Sequence, residues 1–172
     1  MKNILDKLQG GDLRSIGRAD EVVSDIQKNP SLFKEVFGGL YKHDPIIRMR
    51  SADVIEKVTK ENPGLLSGYE QKIINELSQI KQQEVCWHIA LILPRLQSAV
   101  QQEEEIVKIL KGYLSHKSKI VNVNAMEALV ELADRNDNLK QDVERIIKSK
   151  VATGSPAIKA RGKKLLKRLS NT

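Results

Sequence analysis

Residues Ile47–Val58 read IRMRSADVIEKV, and three later stretches repeat the pattern: VCWHIALILPRL (Val85–Leu96), VNVNAMEALVEL (Val121–Leu132) and IKARGKKLLKRL (Ile158–Leu169). Their starts lie 38, 36 and 37 residues apart. With the first residue of each counted as zero, offset four is Ser51, Ile89, Ala125 and Gly162, and offset seven is Val54, Ile92, Ala128 and Leu165. Offset eight is Ile55, Leu93, Leu129 and Leu166, and offset eleven is Val58, Leu96, Leu132 and Leu169. On an α-helix these positions, with the Ile or Val at offset zero, fall in an arc of about 100°, the apolar stripe of an amphipathic helix. A period of this length is the mark of helical-hairpin repeats.

A second amphipathic segment precedes each window. Leu32, Phe33, Val36, Phe37 and Leu40 make one apolar face; Tyr69, Ile73, Ile74 and Leu77 make the next. Ile106, Val107, Leu110, Tyr113 and Leu114 form the third, and Val143, Ile146 and Ile147 the fourth. Turn chemistry lies at the joints: Asn29-Pro30, Asp44-Pro45, Asn62-Pro63-Gly64 and Ser155-Pro156. No stretch alternates as a half-buried strand would. The expected organisation is a single all-α domain over 1–172, with hairpins at 31–63, 64–98, 102–136 and 137–170. A partial repeat or cap at 1–30 contains a looser copy, RADEVVSDIQKNP.

Asp44-Pro45-Ile46-Ile47-Arg48, followed by Ser51-Ala52 and then Ile55 and Val58, resembles the inner half of a HEAT repeat, and Ser155-Pro156-Ala157-Ile158-Lys159 echoes it. The resemblance covers 32–169. It departs from the family pattern at Cys86 and Asn122, which stand where the family often has Arg. It implies an armadillo/HEAT-like α-solenoid, a right-handed α-α superhelix of about four hairpins with an N-terminal helical extension.

With 40% hydrophobic and 30% charged residues, the chain has the composition of a globular domain rather than a disordered one. The longest nearly uncharged apolar run, Val85–Leu93, is too short to span a bilayer. The N-terminus MKNILDKLQGG has no apolar core of signal-peptide length, and the one cysteine, Cys86, has no intrachain disulfide partner. A cytoplasmic protein, monomeric or weakly dimeric, is the expectation.

In a solenoid each inner helix keeps one open strip, at offsets two, six and nine. That strip is Met49, Asp53 and Glu56; then Trp87, Leu91 and Pro94; then Val123, Glu127 and Val130; then Ala160, Lys164 and Lys167. Its apolar middle suggests a groove for a partner peptide or helix. The candidate anchors are Met49, Trp87, Leu91, Val123 and Val130, with Arg50, His88, Asn124 and Arg161 as a polar edge. A small rotation of the helices would instead make Trp87 and Leu91 core. Pro94 reads as a kink within its helix.

Charge is uneven. The chain carries 29 Lys and Arg against 22 Asp and Glu, and residues 145–172 hold nine of those cations and no Asp or Glu. Lys159, Lys163, Lys164, Lys167 and Arg168 are therefore candidate phosphate contacts, with a solvated helix face as the plain alternative. The cluster lacks the interleaved aromatics that stack on single-stranded bases. The three histidines, His43, His88 and His116, fall in different hairpins, and Cys86 and His88 point about 200° apart on a helix. Gly10-Gly11 and Gly38-Gly39 lack phosphate-loop spacing. These observations favour a non-enzymatic protein-binding or scaffold module without cofactor or metal, with backbone-directed nucleic-acid binding through the basic hairpin as the alternative.

Overall fold

Each segment with 3.6-residue periodicity becomes a helix, and each Asn/Asp/Ser-Pro joint starts one. The computed structural model describes residues 3–97 and 100–171, and no β-strand occurs among them. They divide into two compact units, the first ending at Gln97 and the second beginning at Ser98. The hairpin limits expected at residues 1 and 98 lie outside the described residues.

The first unit opens with a short 3-10 turn, Ile4–Leu8, followed by α1 (Ala19–Lys28), α2 (Phe33–Gly39) and α3 (Pro45–Glu61). Then come α4 (Glu70–Asn75) and α5 (Gln83–Ile92). Asp44 caps α3 by accepting from the Ile46 amide at 2.8 Å, and Pro45 takes the first helical position, where a missing N–H costs nothing. α3 packs against α1, α2 and α5 and against the N-terminal turn. On the outer side Phe33, Phe37 and Tyr69 stack, with the Phe37 and Tyr69 ring centroids 4.1 Å apart.

Being surrounded, α3 is buried through the whole run Met49–Ile55, almost two turns of helix. Its buried sector is thus far wider than the apolar stripe alone indicates. Pro94 does not kink a continuing helix: α5 ends at Ile92 and passes into the 3-10 turn Leu93–Arg95, in which Pro94 is buried. Proline at that point removes the next helical hydrogen bond and ends the element.

The second unit contains α6 (Val100–Tyr113), α7 (Lys119–Ala133), α8 (Asp137–Thr153) and α9 (Pro156–Ser170). α7 contacts α6, α8 and α9, and α8 also packs on α9. The buried residues of α9 are Ile158, Gly162, Leu165 and Leu169, the stripe at offsets zero, four, seven and eleven. At Gly162 side chains of α7 and α8 press on the α9 backbone: a Cβ there would lie 2.5 Å from Val151 Cγ2 and 3.1 Å from Met126 Cε. We expect Gly162→Val to lower stability by about 1–3 kcal/mol through overpacking, although valine has the better helix propensity, and a urea midpoint checks this.

Candidate functional site

The polar residues flanking the inner helices are placed by their offset. Offset ten is Lys57, Arg95 and Arg168 in three of the four windows. Each of these cations reaches a carboxylate on, or just after, the α-helix two before its own. Lys57 Nζ lies 2.8 Å from Asp20 Oδ1 on α1, Arg95 pairs with Glu56 on α3, and Arg168 NH2 lies 2.5 Å from Asp134 Oδ2, just after α7. Arg95 also donates to the Thr59 hydroxyl, at 3.1 Å. Lys57 holds Asp53 of its own helix as well, at 2.9 Å.

At offset three one window repeats this pairing. Arg161 on α9 pairs with Glu127 on α7. His88 on α5 feels Asp53 and Glu56 of α3: burial pushes its pKa down most strongly, the two carboxylates push it up, and Lys57 pushes it down again. Arg50 pairs with no carboxylate among the described residues and is nonetheless buried, at 2% exposure. Its guanidinium donates to three main-chain carbonyls, those of Leu8 at 3.0 Å, Gln9 at 3.1 Å and Ser15 at 3.0 Å.

This geometry corrects the expected partner groove. Met49, at 6% exposure, Arg50 and Val130, at 0%, lie inside the protein and cannot anchor a ligand; Asp53 and Pro94 of the same strip are buried too. The cause is the packing of neighbours all round α3 and α7. Arg161 spends its charge on Glu127, so that column seals helix against helix. Trp87, His88, Leu91, Val123 and Asn124 are partly buried.

The basic cluster resolves into paired and unpaired charges. Arg145 is held by Asp142, whose carboxyl is drawn below its usual range by Lys111 and then by Arg145. Lys148 pairs with Glu144, and Lys150 Nζ donates to the Leu114 carbonyl at 2.7 Å. Arg161 and Arg168 face α7, as above. Lys159, Lys163, Lys164 and Lys167 are exposed and make no ion pair among the described residues. Along α9, Lys159, Lys163 and Lys167 recur every four residues and Lys164 flanks them, an arc of about 140° opposite the buried stripe. Three of the ammonium groups thus spring from one helix line about 12 Å long.

The remaining candidates are structural. Cys86 is buried, with its Sγ donating to the Ile80 carbonyl at 3.1 Å. His116 Nδ1 accepts from the Ser118 amide at 3.0 Å. Glu103, in the first turn of α6, accepts from Asn136 Nδ2 at 2.6 Å. No group of three or more His, Cys, Asp or Glu among the described residues is placed to hold a metal ion, and no helix is long and apolar enough to cross a membrane. No family model, curated protein or solved structure matches the chain.

The His88 environment has a pH consequence. A histidine whose folded pKa lies below its unfolded value binds fewer protons when folded, so acidification through about pH 6.5 favours unfolding. Stability should therefore fall as pH drops from 7.5 to 5.5, and His88→Gln should flatten that slope. Urea midpoints across the range measure it; equal slopes in the two proteins would remove His88 from the account.

Proposed function

We propose that the chain is a HEAT-like helical-repeat binding module, without catalysis of its own, that docks on the phosphate backbone of nucleic acid through the lysine face of α9. The observation that carries this reading is the sorting of charge in the second unit. Arg161 and Arg168 are spent on α7, whereas Lys159, Lys163, Lys164 and Lys167 stand in solvent without a counter-charge among the described residues. The file of inner helices α1, α3 and α5, and the packing of α7 on α9, support the repeat reading.

Lysine ammonium groups are point charges, so they neutralise phosphates without reading bases. The only aromatic residue in 100–171 is Tyr113, which is buried, so nothing in this unit stacks on splayed bases. The reading therefore implies duplex binding without sequence preference. It is favoured over a partner peptide on the inner strip because Met49, Arg50 and Val130 are not available there.

Fluorescence anisotropy of a labelled duplex tests the proposal. Neutralising about four phosphates implies a slope of log K against log salt of about −3.6. Replacing Lys159, Lys163, Lys164 and Lys167 with Gln should abolish binding while leaving the thermal transition in place, since all four are exposed. Undiminished binding by the fourfold variant, or no binding by the parent protein near physiological salt, overturns the reading.

A further inference from the structure

The N-terminal turn does not continue the chain's regular packing; it fills a space. Ile4, Leu5 and Leu8 are buried, and the turn packs against α1, α2 and α3. An open hollow of about 1170 Å³ lies beside it, walled by Ile4 and Leu5 of the turn itself and otherwise, apart from Leu32 and Gly38, largely by charged residues such as Asp25, Lys34 and Glu35. The apolar seat is thus the one the turn already covers with Ile4, Leu5 and Leu8, and the space beside it is charged.

The link from this turn to α1 is of another character. Every residue from Gln9 to Arg18 is exposed, including Leu13 at 38% and Ile16 at 42%. Its side-chain hydrogen bonds among the described residues are local, Arg14 N to Asp12, Gly17 N to the Ser15 hydroxyl, Gln9 to Asp6 and Arg18 to Glu21, except for those from Arg50. The buried guanidinium ties both ends of the link, through the Leu8 and Gln9 carbonyls on one side and the Ser15 carbonyl on the other. The link closes tightly on it: a Cβ at Gly17, where φ is +54°, would lie 2.6 Å from Arg50 Nη1. At the same offset in the last repeat, Arg161 has the Glu127 carboxylate instead. The acceptors of Arg50 among the described residues are neutral carbonyls, which neutralise a buried cation less well than an anion does.

We propose that residues 3–8 are an intramolecular occupant of a peptide-docking groove on α1, α2 and α3, and that Arg50 is the latch that keeps them there. The competing ligand has the chemistry of the segment it replaces. It is a short helical turn with aliphatic side chains at the spacing of Ile4, Leu5 and Leu8. When the latch opens, residues 9–18 swing out on their positive-φ glycines, Gly10, Gly11 and Gly17. Among the described residues, the turn is then retained by its apolar contacts and the Lys7–Asp25 and Lys7–Glu21 ion pairs.

The latch is tested from both sides in the full chain, with Arg50→Met removing the donor and Gly17→Val pushing the link off it. Each variant should keep the helical circular-dichroism signal and its main thermal transition. Trypsin cleavage after Arg14 and Arg18 should rise at least about tenfold, because loss of charge-assisted bonds raises the open population. A fluorescein-labelled peptide spanning residues 3–12 should bind both variants and not the parent protein. Unchanged cleavage in both variants, cooperative unfolding of the whole chain, or failure of the peptide to bind the opened variants would each overturn the proposal.

Discussion

The structure depends on one constraint: a helix with neighbours on every side must find partners for most of the polar groups it buries, the Ser51 hydroxyl on α3 being an exception among the described residues. Its backbone is satisfied within the helix, so the burden falls on side chains along its flanks. α3 meets this by burying Met49 through Ile55 as one block and sending Lys57 and Glu56 to adjoining inner elements. α9, at the edge of the second unit, meets it with Arg161 and Arg168, both turned toward α7. The recurring columns are therefore seams. The helices are aligned by charge pairs that repeat with the apolar stripe, and shifting one helix by a turn would unpair carboxylates that are themselves partly buried.

This explains which parts of the architecture were legible in the amino-acid order. The apolar spacing placed the helical segments, because burial of an offset-zero or offset-seven residue depends only on helical period. Ile158, Gly162, Leu165 and Leu169 illustrate it on α9. The open strip was less legible, because its width depends on how many neighbours a helix has. For α9 the arithmetic held, with Ala160, Lys164 and Lys167 exposed. For α3 and α7 it failed at Met49, Asp53 and Val130, since elements pack round the whole circumference.

Arg50, His88, Asn124 and Arg161 share a column in the sequence, but periodicity does not say what a column faces. Arg161 faces a carboxylate, and Arg50 faces carbonyls from residues some 40 positions earlier. Main-chain acceptors have no residue signature, so no reading of side-chain types finds them. The same limit applies to the basic hairpin. Nine cations were visible in 145–172, and only the fold separates those held by α7, by their own helix or, for Lys150, by the Leu114 carbonyl from the four lysines that face water.

The placement of the chain's optical and chemical groups has a consequence for how it can be watched. Its one tryptophan and one cysteine are adjacent, Trp87 and Cys86, both on α5. Tyr113 is the sole aromatic residue of 100–171. Intrinsic tryptophan emission therefore arises from the first unit, whereas α9 with its lysine face carries no aromatic residue. The Cys86 thiol, buried with its proton directed at a carbonyl, reacts with an alkylating reagent only when the α5 region opens. The wild-type chain thus carries a matched pair of probes for breathing of one half, against which an added label in the other half can be read.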